Sequence, residues 1–254
     1  MYSLIFPDIF DSSVQPARNK KLAPLESKHL TRSAQRAGFS NGVKAFFTRK
    51  SPGMNIDEIC HILSIKRNNV YLPLQKHTDK VHVLKAGLDQ KIADAVLTNR
   101  RDILIGVQVA DCVPILIIDK ERNVEGAVHA GWRGTAAQIV KKTIRLMSEH
   151  FGSSSEDIKI ALGPSIRWSC YYVGQEVKDA IFKATGEGEY YLQRDGGYCI
   201  DLASANVCQA KSIGIPEENI WISLECTYCN PNEYYSYRYT KNLNGAQGGF
   251  IGIF

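Results

Sequence analysis

Three side chains able to hold a soft or borderline cation, His77, Cys112 and His129, sit where the sequence can bring at least two of them together. Cys112 precedes an apolar run at residues 113–118, and His129 closes another at residues 124–129. Between the runs lies Asp119-Lys120-Glu121-Arg122-Asn123, long enough for a hairpin loop and short for a crossover. Centring the loop near Glu121 sets Cys112 opposite Ala130 and within one residue of His129, and directly opposed side chains lie roughly 4.5–5.5 Å apart. A thiolate and an imidazole placed so can share one ion. Zinc takes sulfur and nitrogen ligands at roughly 2.0–2.3 Å, and its catalytic sites commonly use three protein ligands and leave a fourth position open. His77, in Gln75-Lys76-His77-Thr78-Asp79-Lys80-Val81, stands just before a predicted strand and is the third candidate. A lone Cys or His is more often packed or solvent-facing than a ligand, so spacing alone leaves both readings open.

The elements that must position these groups are read from periodicity. Short apolar runs at residues 43–48, 81–85, 103–109, 113–118 and 124–129 predict strands. Behind a Gly-Trp-Arg-Gly turn, Ile139, Thr143, Leu146, Met147 and His150 follow helical spacing and predict a helix over 135–151. A second helix is expected over 175–184. A third starts at Asp201, a good N-cap, and runs to about Ile213, where Gly214 and Pro216 end it. Further strands are expected at 220–224 and 250–254. Residues 11–38 carry many charges, with Pro16 and Pro24 among them, and residues 1–40 are read as an irregular N-terminal segment. Strands and helices do not alternate as βαβ units would and no repeat is visible, so the class is α+β, with residues 1–254 as a single domain.

Composition narrows the function classes. The chain has 254 residues, 44% of them hydrophobic, enough for a sizeable core. It contains no apolar run of transmembrane length, and its first ten residues lack the pattern of a signal peptide, which predicts a cytoplasmic protein without membrane attachment. Seven cysteines, an odd number and scattered, argue for a reducing compartment rather than a disulfide framework. The net charge of +5 is spread along the chain without the dense basic blocks of a nucleic-acid arm. Such a mild excess helps attract an anionic substrate.

Several ordered motifs go further: Ala110-Asp111-Cys112-Val113-Pro114 at the end of a stretch starting with Ala93-Asp94-Ala95, His129-Ala130-Gly131-Trp132-Arg133-Gly134, Gly163-Pro164-Ser165-Ile166 with Tyr172-Val173-Gly174, and Ser236-Tyr237-Arg238. In these the chain resembles the YfiH-like family of purine nucleoside phosphorylases and adenosine deaminases, once designated laccases or polyphenol oxidases. The match spans residues 75–254, with a weaker piece at 42–49. The resemblance implies a four-layer α/β/β/α fold of two mixed sheets flanked by helices, like that of putative cysteine hydrolases. It implies His77, Cys112 and His129 as ligands of one zinc ion with an open fourth position. It also implies adenosine, inosine and methylthioadenosine as substrates, with phosphate as co-substrate. Asp111, beside the cysteine, is the candidate base or orienting group, its alternative being a turn residue satisfying backbone amides. Arg49 and Arg238 match arginines of the family pattern and are the candidate phosphate ligands, with a surface ion pair as the alternative for Arg49. The chain departs from the pattern after Arg49, where only Lys50-Ser51-Pro52-Gly53-Met54-Asn55 remains of a longer loop, and at Tyr239 and Ala246, where arginine-bearing positions are usual.

Rival chemistries use the same atoms. Cys112 with His129 or His77 as its base would make an amide hydrolase acting on cell-wall precursor peptides. Copper-dependent phenol oxidation needs a richer histidine set than six dispersed residues provide. A zinc-stabilised binding module would show metal-dependent folding and no turnover. Cys226-Thr227-Tyr228-Cys229 has zinc-knuckle spacing but no second Cys-x-x-Cys pair, and is read as buried structural cysteines. His29, His61, His82 and His150 carry no signature and receive no role. Trp132 can stack on a base or pack in the core or a turn, and Arg133 can likewise contact a substrate or pair structurally.

Overall fold

The apolar runs of the sequence become strands whose two faces belong to different layers. The structure, a computed structural model, describes residues 4–7 and 42–254. Its central six-stranded sheet has the order β13 (Ile220–Ile222), β9 (Ile158–Leu162), β7 (Val113–Asp119), β8 (Val124–Ala130), β5 (Ala95–Thr98) and β4 (Val81–Val83). A five-stranded sheet has the order β1 (Leu4–Ile5), β2 (Val43–Thr48), β14 (Gln247–Ile253), β6 (Leu104–Val109) and β3 (Val70–Tyr71). Both are mixed, because β13–β9, β4–β5 and β3–β6 run parallel among otherwise antiparallel pairs. A small third sheet joins β10 (Tyr172–Val173), β12 (Gly197–Ile200) and β11 (Tyr191–Arg194).

Side-chain alternation explains the layering. From β7, Val113, Ile115 and Ile117 pack with Ile139, Val140, Ile144 and Met147 of helix α3 (Ile139–Phe151), a layer shared by α4 (Gln175–Thr185) and α5 (Leu202–Lys211). The intervening Leu116 and Ile118 point the other way, into a cluster with Phe47, Ile105, Val107 and Ile251 of the five-stranded sheet. That sheet's far face, with Phe46, Leu104 and Phe250, is covered by Ile56, Ile59 and Leu63 of α1 (Ile56–Leu63). The arrangement is helix, sheet, sheet, helix, as expected. No described helix is long and apolar enough to cross a membrane.

Several elements differ from their sequence reading. The helix expected over 135–151 is two, α2 (Trp132–Ala136) and α3, because Gln138 takes a left-handed conformation (φ 60°) and its amide donates to Ala184 O at 2.6 Å. Within the segment read as irregular over 1–40, Leu4 and Ile5 pair with Thr48 and Phe47; the stretch 11–38 and His29 lie outside the described residues. The hairpin register is shifted by one: Asp119 still pairs with Val124, so the loop is residues 120–123, Val113 faces Ala130, and Cys112 comes beside Gly131 rather than opposite Ala130. The third helix begins after Asp201, whose carboxylate accepts from Ser204 N at 2.9 Å, and ends at Lys211.

Leu116 is fully buried between the sheets. Leu116→Ala is expected to cost about 3 kcal/mol, the range for a large-to-small core change, and to lower the urea midpoint without changing the slope of the transition; a midpoint shift equivalent to under about 1 kcal/mol would contradict the tight packing of the two sheets.

Candidate functional site

The site gathers at the end of the central sheet where β7 begins and β8 ends. Ligand-type atoms of His77, Cys112 and His129 all lie within 4.8 Å of one another. His129 is buried, Cys112 half-buried and His77 exposed, so the group opens outward. The two imidazole rings stand edge to face with centroids 4.8 Å apart. Gly131 makes the approach possible: a Cβ there would sit 2.9 Å from Cys112 Sγ and 3.4 Å from His77 Cδ2.

Asp94, fully buried and immediately before β5, organises this set. Its Oδ1 is 2.8 Å from His129 Nδ1 and accepts from His77 N at 3.0 Å. Its Oδ2 accepts from Thr78 N at 2.6 Å and Thr78 Oγ1 at 2.7 Å. His129 N also donates to Asp94 O at 2.7 Å. The turn held in this way carries His77 at φ 57°, a left-handed conformation that a non-glycine residue keeps only when its surroundings enforce it. Nothing in residue spacing singled out Asp94; the available signal was its place in the Ala93-Asp94-Ala95 motif, to which no role was given.

Charge follows the same geometry. Burial alone would push Asp94 up, but the hydrogen bonds from His129 and Thr78 outweigh it and hold its carboxyl well below the usual range. Burial disfavours the Cys112 thiolate, yet the charge and hydrogen bond of His129, with a hydrogen bond from His77, bring the thiol down to about 6. Burial likewise works against a charged His129, and the Cys112 thiolate and Asp94 overcome it, raising the imidazole to about 9. Without a metal, the pair is a thiolate beside an imidazolium.

The donor set lines a cavity of about 780 Å³, within the range of small-molecule sites. Trp132, Arg133, Tyr171, Tyr237 and Arg238 line it as well, and so do Met54 from the shortened segment and Ala246. Arg133 lies over the Trp132 ring, 4.4 Å from its centroid. Arg238 lies 5.1 Å from the Tyr171 ring centroid and donates to Tyr172 O at 3.1 Å. Asp111 borders the cavity in a left-handed conformation (φ 86°), and both its oxygens are engaged: Oδ1 accepts from Thr227 Oγ1 at 2.6 Å and Oδ2 from Arg238 N at 2.7 Å. Arg49 is not among the lining residues; its guanidinium is held by Glu225 at 3.0 Å and Glu233 at 2.7 Å. The structure therefore unites His77, Cys112, His129, Asp111 and Arg238 and leaves Arg49 apart. The cysteines of Cys226-x-x-Cys229 depart from expectation, because Cys226 is buried but Cys229 is exposed and joined by Cys170.

With this geometry in view, comparison with known proteins is decisive. Residues 49–254 match the family model described as multi-copper polyphenol oxidoreductase laccase. The chain belongs to this laccase-domain family. Among its relatives, a purine nucleoside phosphorylase of Bacteroides thetaiotaomicron is 37% identical over 149 residues, 57% of this chain and 55% of that protein. One of Clostridium acetobutylicum is 37% identical over 182 residues, 70% of this chain and 74% of the relative. Adenosine deaminase RL5, from an unknown prokaryotic organism, is 33% identical over 205 residues, 76% of this chain and 77% of the relative. The match thus spans little more than half the length of the Bacteroides protein and more of the others. Among solved structures, Bacillus licheniformis YfiH superposes with a TM-score of 0.80 at 27% identity, covering 84% of this chain and 94% of that one. YlmD of Geobacillus stearothermophilus gives 0.79 at 25% identity, covering 84% and 92%. Laccase-domain relatives thus carry purine nucleoside enzyme names on the same two-sheet fold.

Two outcomes test the site. Gly131→Ala is expected to keep the far-ultraviolet spectrum of the folded chain but to need at least about ten-fold more added zinc to shield Cys112 from iodoacetamide, the scale on which supporting changes weaken metal sites; unchanged shielding would show that the three donors do not converge there. In metal-stripped protein, iodoacetamide labelling of Cys112, followed by peptide mass spectrometry, should rise through about pH 6, because the thiolate is the reactive form. A midpoint near the ordinary thiol value of about 8.5 would remove the ion pair with His129.

Proposed function

We propose that the chain is a zinc-dependent purine nucleoside enzyme that phosphorolyses adenosine, inosine and methylthioadenosine and deaminates adenosine, with His77, Cys112 and His129 holding one zinc ion. The observation that carries this reading is the convergence of two imidazoles and a thiol at the wall of a cavity large enough for a nucleoside and phosphate. The donor set fits the ion: one sulfur and two nitrogens leave a tetrahedral cation one open position. Asp94 engages His129 Nδ1, which leaves Nε2 as the donor atom, the usual way a carboxylate orients a ligand histidine. Copper, suggested by the family's name, suits the same atoms less well, because a multicopper centre needs many more histidines. When bound, zinc supplies a Lewis acid or a bound water of pKa about 7.

The chain's own residues supply binding and orientation. Trp132 and Tyr171 offer aromatic surface for a purine ring. Tyr171, pushed up to about 12 by burial and then by the Cys112 thiolate, keeps its proton at neutral pH. Arg133 and Arg238 present guanidinium groups to the cavity and are the phosphate ligands in this reading. Arg49, paired with Glu225 and Glu233, braces the segment that carries them. Asp111 positions Arg238 by accepting from its backbone amide. In phosphorolysis the bond between ribose C1′ and the base breaks as a phosphate oxygen bonds to C1′, and the base leaves as the free purine. In deamination water adds at C6 of adenine and ammonia leaves.

A second reading has its own observation. Cys112, His129 and Asp94 stand as nucleophile, base and orienting carboxylate, the arrangement of a cysteine hydrolase, for which amides of cell-wall precursor peptides are the candidate substrates.

Zinc-loaded protein incubated with adenosine and phosphate is expected to release adenine with ribose 1-phosphate, and inosine in phosphate-free buffer, both lost on chelation and restored by zinc. Arg238→Ala should raise KM for phosphate about ten-fold or more, the equivalent of losing a charge-assisted hydrogen bond of roughly 1.5–3 kcal/mol. No nucleoside turnover by zinc-loaded protein overturns the proposal, and amide hydrolysis that survives chelation but not alkylation favours the second reading.

A further inference from the structure

Behind the cavity lining, the fold brings a third cysteine to the one Cys-x-x-Cys motif of the sequence. Cys170, Cys226 and Cys229 have their sulfurs within 4.8 Å of one another, and Cys170 Sγ and Cys229 Sγ are 3.2 Å apart. We propose that these three thiols form a second metal site, binding a zinc ion through three thiolates with its fourth position left to solvent.

The argument begins with distance. Tetrahedral zinc with Zn–S bonds of about 2.3 Å holds its sulfurs roughly 3.8 Å apart. A set within 4.8 Å needs only rotamer-scale adjustment to reach that spacing. A disulfide between Cys170 and Cys229 would leave the third sulfur unused, whereas one cation satisfies all three. The donor chemistry agrees, since an all-sulfur set selects zinc or another thiophilic cation over magnesium or calcium. Cys226 Sγ also accepts a hydrogen bond from Arg167 N at 3.4 Å, which fixes its place beside the Cys170 turn.

Both supporting segments are already fixed. The turn before Cys170 is tied by Ile166 N to Asp111 O at 3.0 Å, and the Arg167 side chain bonds Ser223 O at 2.7 Å and Asp201 at 2.9 Å. Cys170 N closes that turn on Arg167 O at 2.9 Å. The Cys226 turn is tied to it by Thr227 N on Ser165 O at 3.1 Å, and Asn230 Nδ2 caps Cys226 O at 2.9 Å. An ion here would therefore staple two segments that also support the cavity wall: Ile166 and Tyr171 line the cavity, and Thr227 holds Asp111. Cys229 is exposed, so the ion is within reach of solvent and of added chelator.

The test separates this site from the one proposed above by removing each in turn. The full chain, Cys112→Ser, Cys229→Ser and the double variant are purified under argon with a thiol reductant and without chelator, and metal per chain is measured by plasma mass spectrometry after zinc loading and desalting. The expected result is zinc retained by Cys112→Ser and lost in the double variant, with Cys229→Ser keeping only the ion at Cys112. Cobalt titration should give thiolate-to-cobalt absorption in Cys112→Ser that disappears in the double variant. Should Cys229→Ser fail to fold, iodoacetamide mapping of Cys112→Ser replaces it: zinc should shield Cys170 and Cys229 from labelling, and chelator should expose them. Equal zinc in Cys112→Ser and the double variant, unshielded labelling, or isolation of Cys170 and Cys229 as a disulfide under these conditions overturns the proposal. Failure of Cys112→Ser to change the wild-type metal count would instead tell against zinc at the first site and leave the second standing.

Discussion

One buried carboxylate sets the terms for everything around the donor cluster. Asp94 is fully buried, so its charge persists through the hydrogen bonds that converge on it. Those bonds determine the conformation of the His77 turn and the orientation of the His129 ring together. Two candidate ligands far apart in sequence therefore answer to a single anion. The carboxylate in turn depends on β5 lying beside β8, since Ala95 pairs with Val128 and the residue before it is drawn onto His129. The site is an extension of the sheet register, with few degrees of freedom of its own.

A second carboxylate, Asp111, plays a corresponding part beside Cys112. Its two oxygens join the segment bearing Cys112 to Thr227 and to the backbone of Arg238. The donors are thus placed by neighbouring strands, and Arg238 by contacts between distant parts of the chain. Rigidity at the donors suits a cation, which demands fixed ligands, while the rest of the lining carries aromatic and guanidinium groups suited to a larger and more varied molecule.

How much of this was legible follows from which interactions decide each element. The β7–β8 hairpin could be read because its strands are buried on both faces and its turn is charged, so hydrophobicity alone marks the boundaries. Its register was missed by one position because the loop length depends on Asp119 remaining in the ladder, which no pattern of apolar residues reveals. Helix α1 escaped notice although Asn55 caps it and Asp57 and Glu58 occupy its first turn, since eight residues give a weak period. His77, Cys112 and His129 emerged from motif resemblance more than from spacing. Asp94 stood in a quoted motif but its role did not emerge, because its partners on His77, Thr78 and His129 are brought near by tertiary structure. Arg49 matched a pattern, but Glu225 and Glu233, which engage it, lie far along the chain. Cys170 was invisible as a companion of Cys226 for the same reason.

The glycine at position 131 marks the end of the stretch that contains every proposed ligand of the first ion and the carboxylate that braces them, from residue 77 onward. Arg238, which also lines the cavity, comes much later in the sequence. The proposed donors are therefore supplied by one contiguous stretch of chain and one sheet, so a change in the later segments can alter what the cavity accepts without displacing a donor.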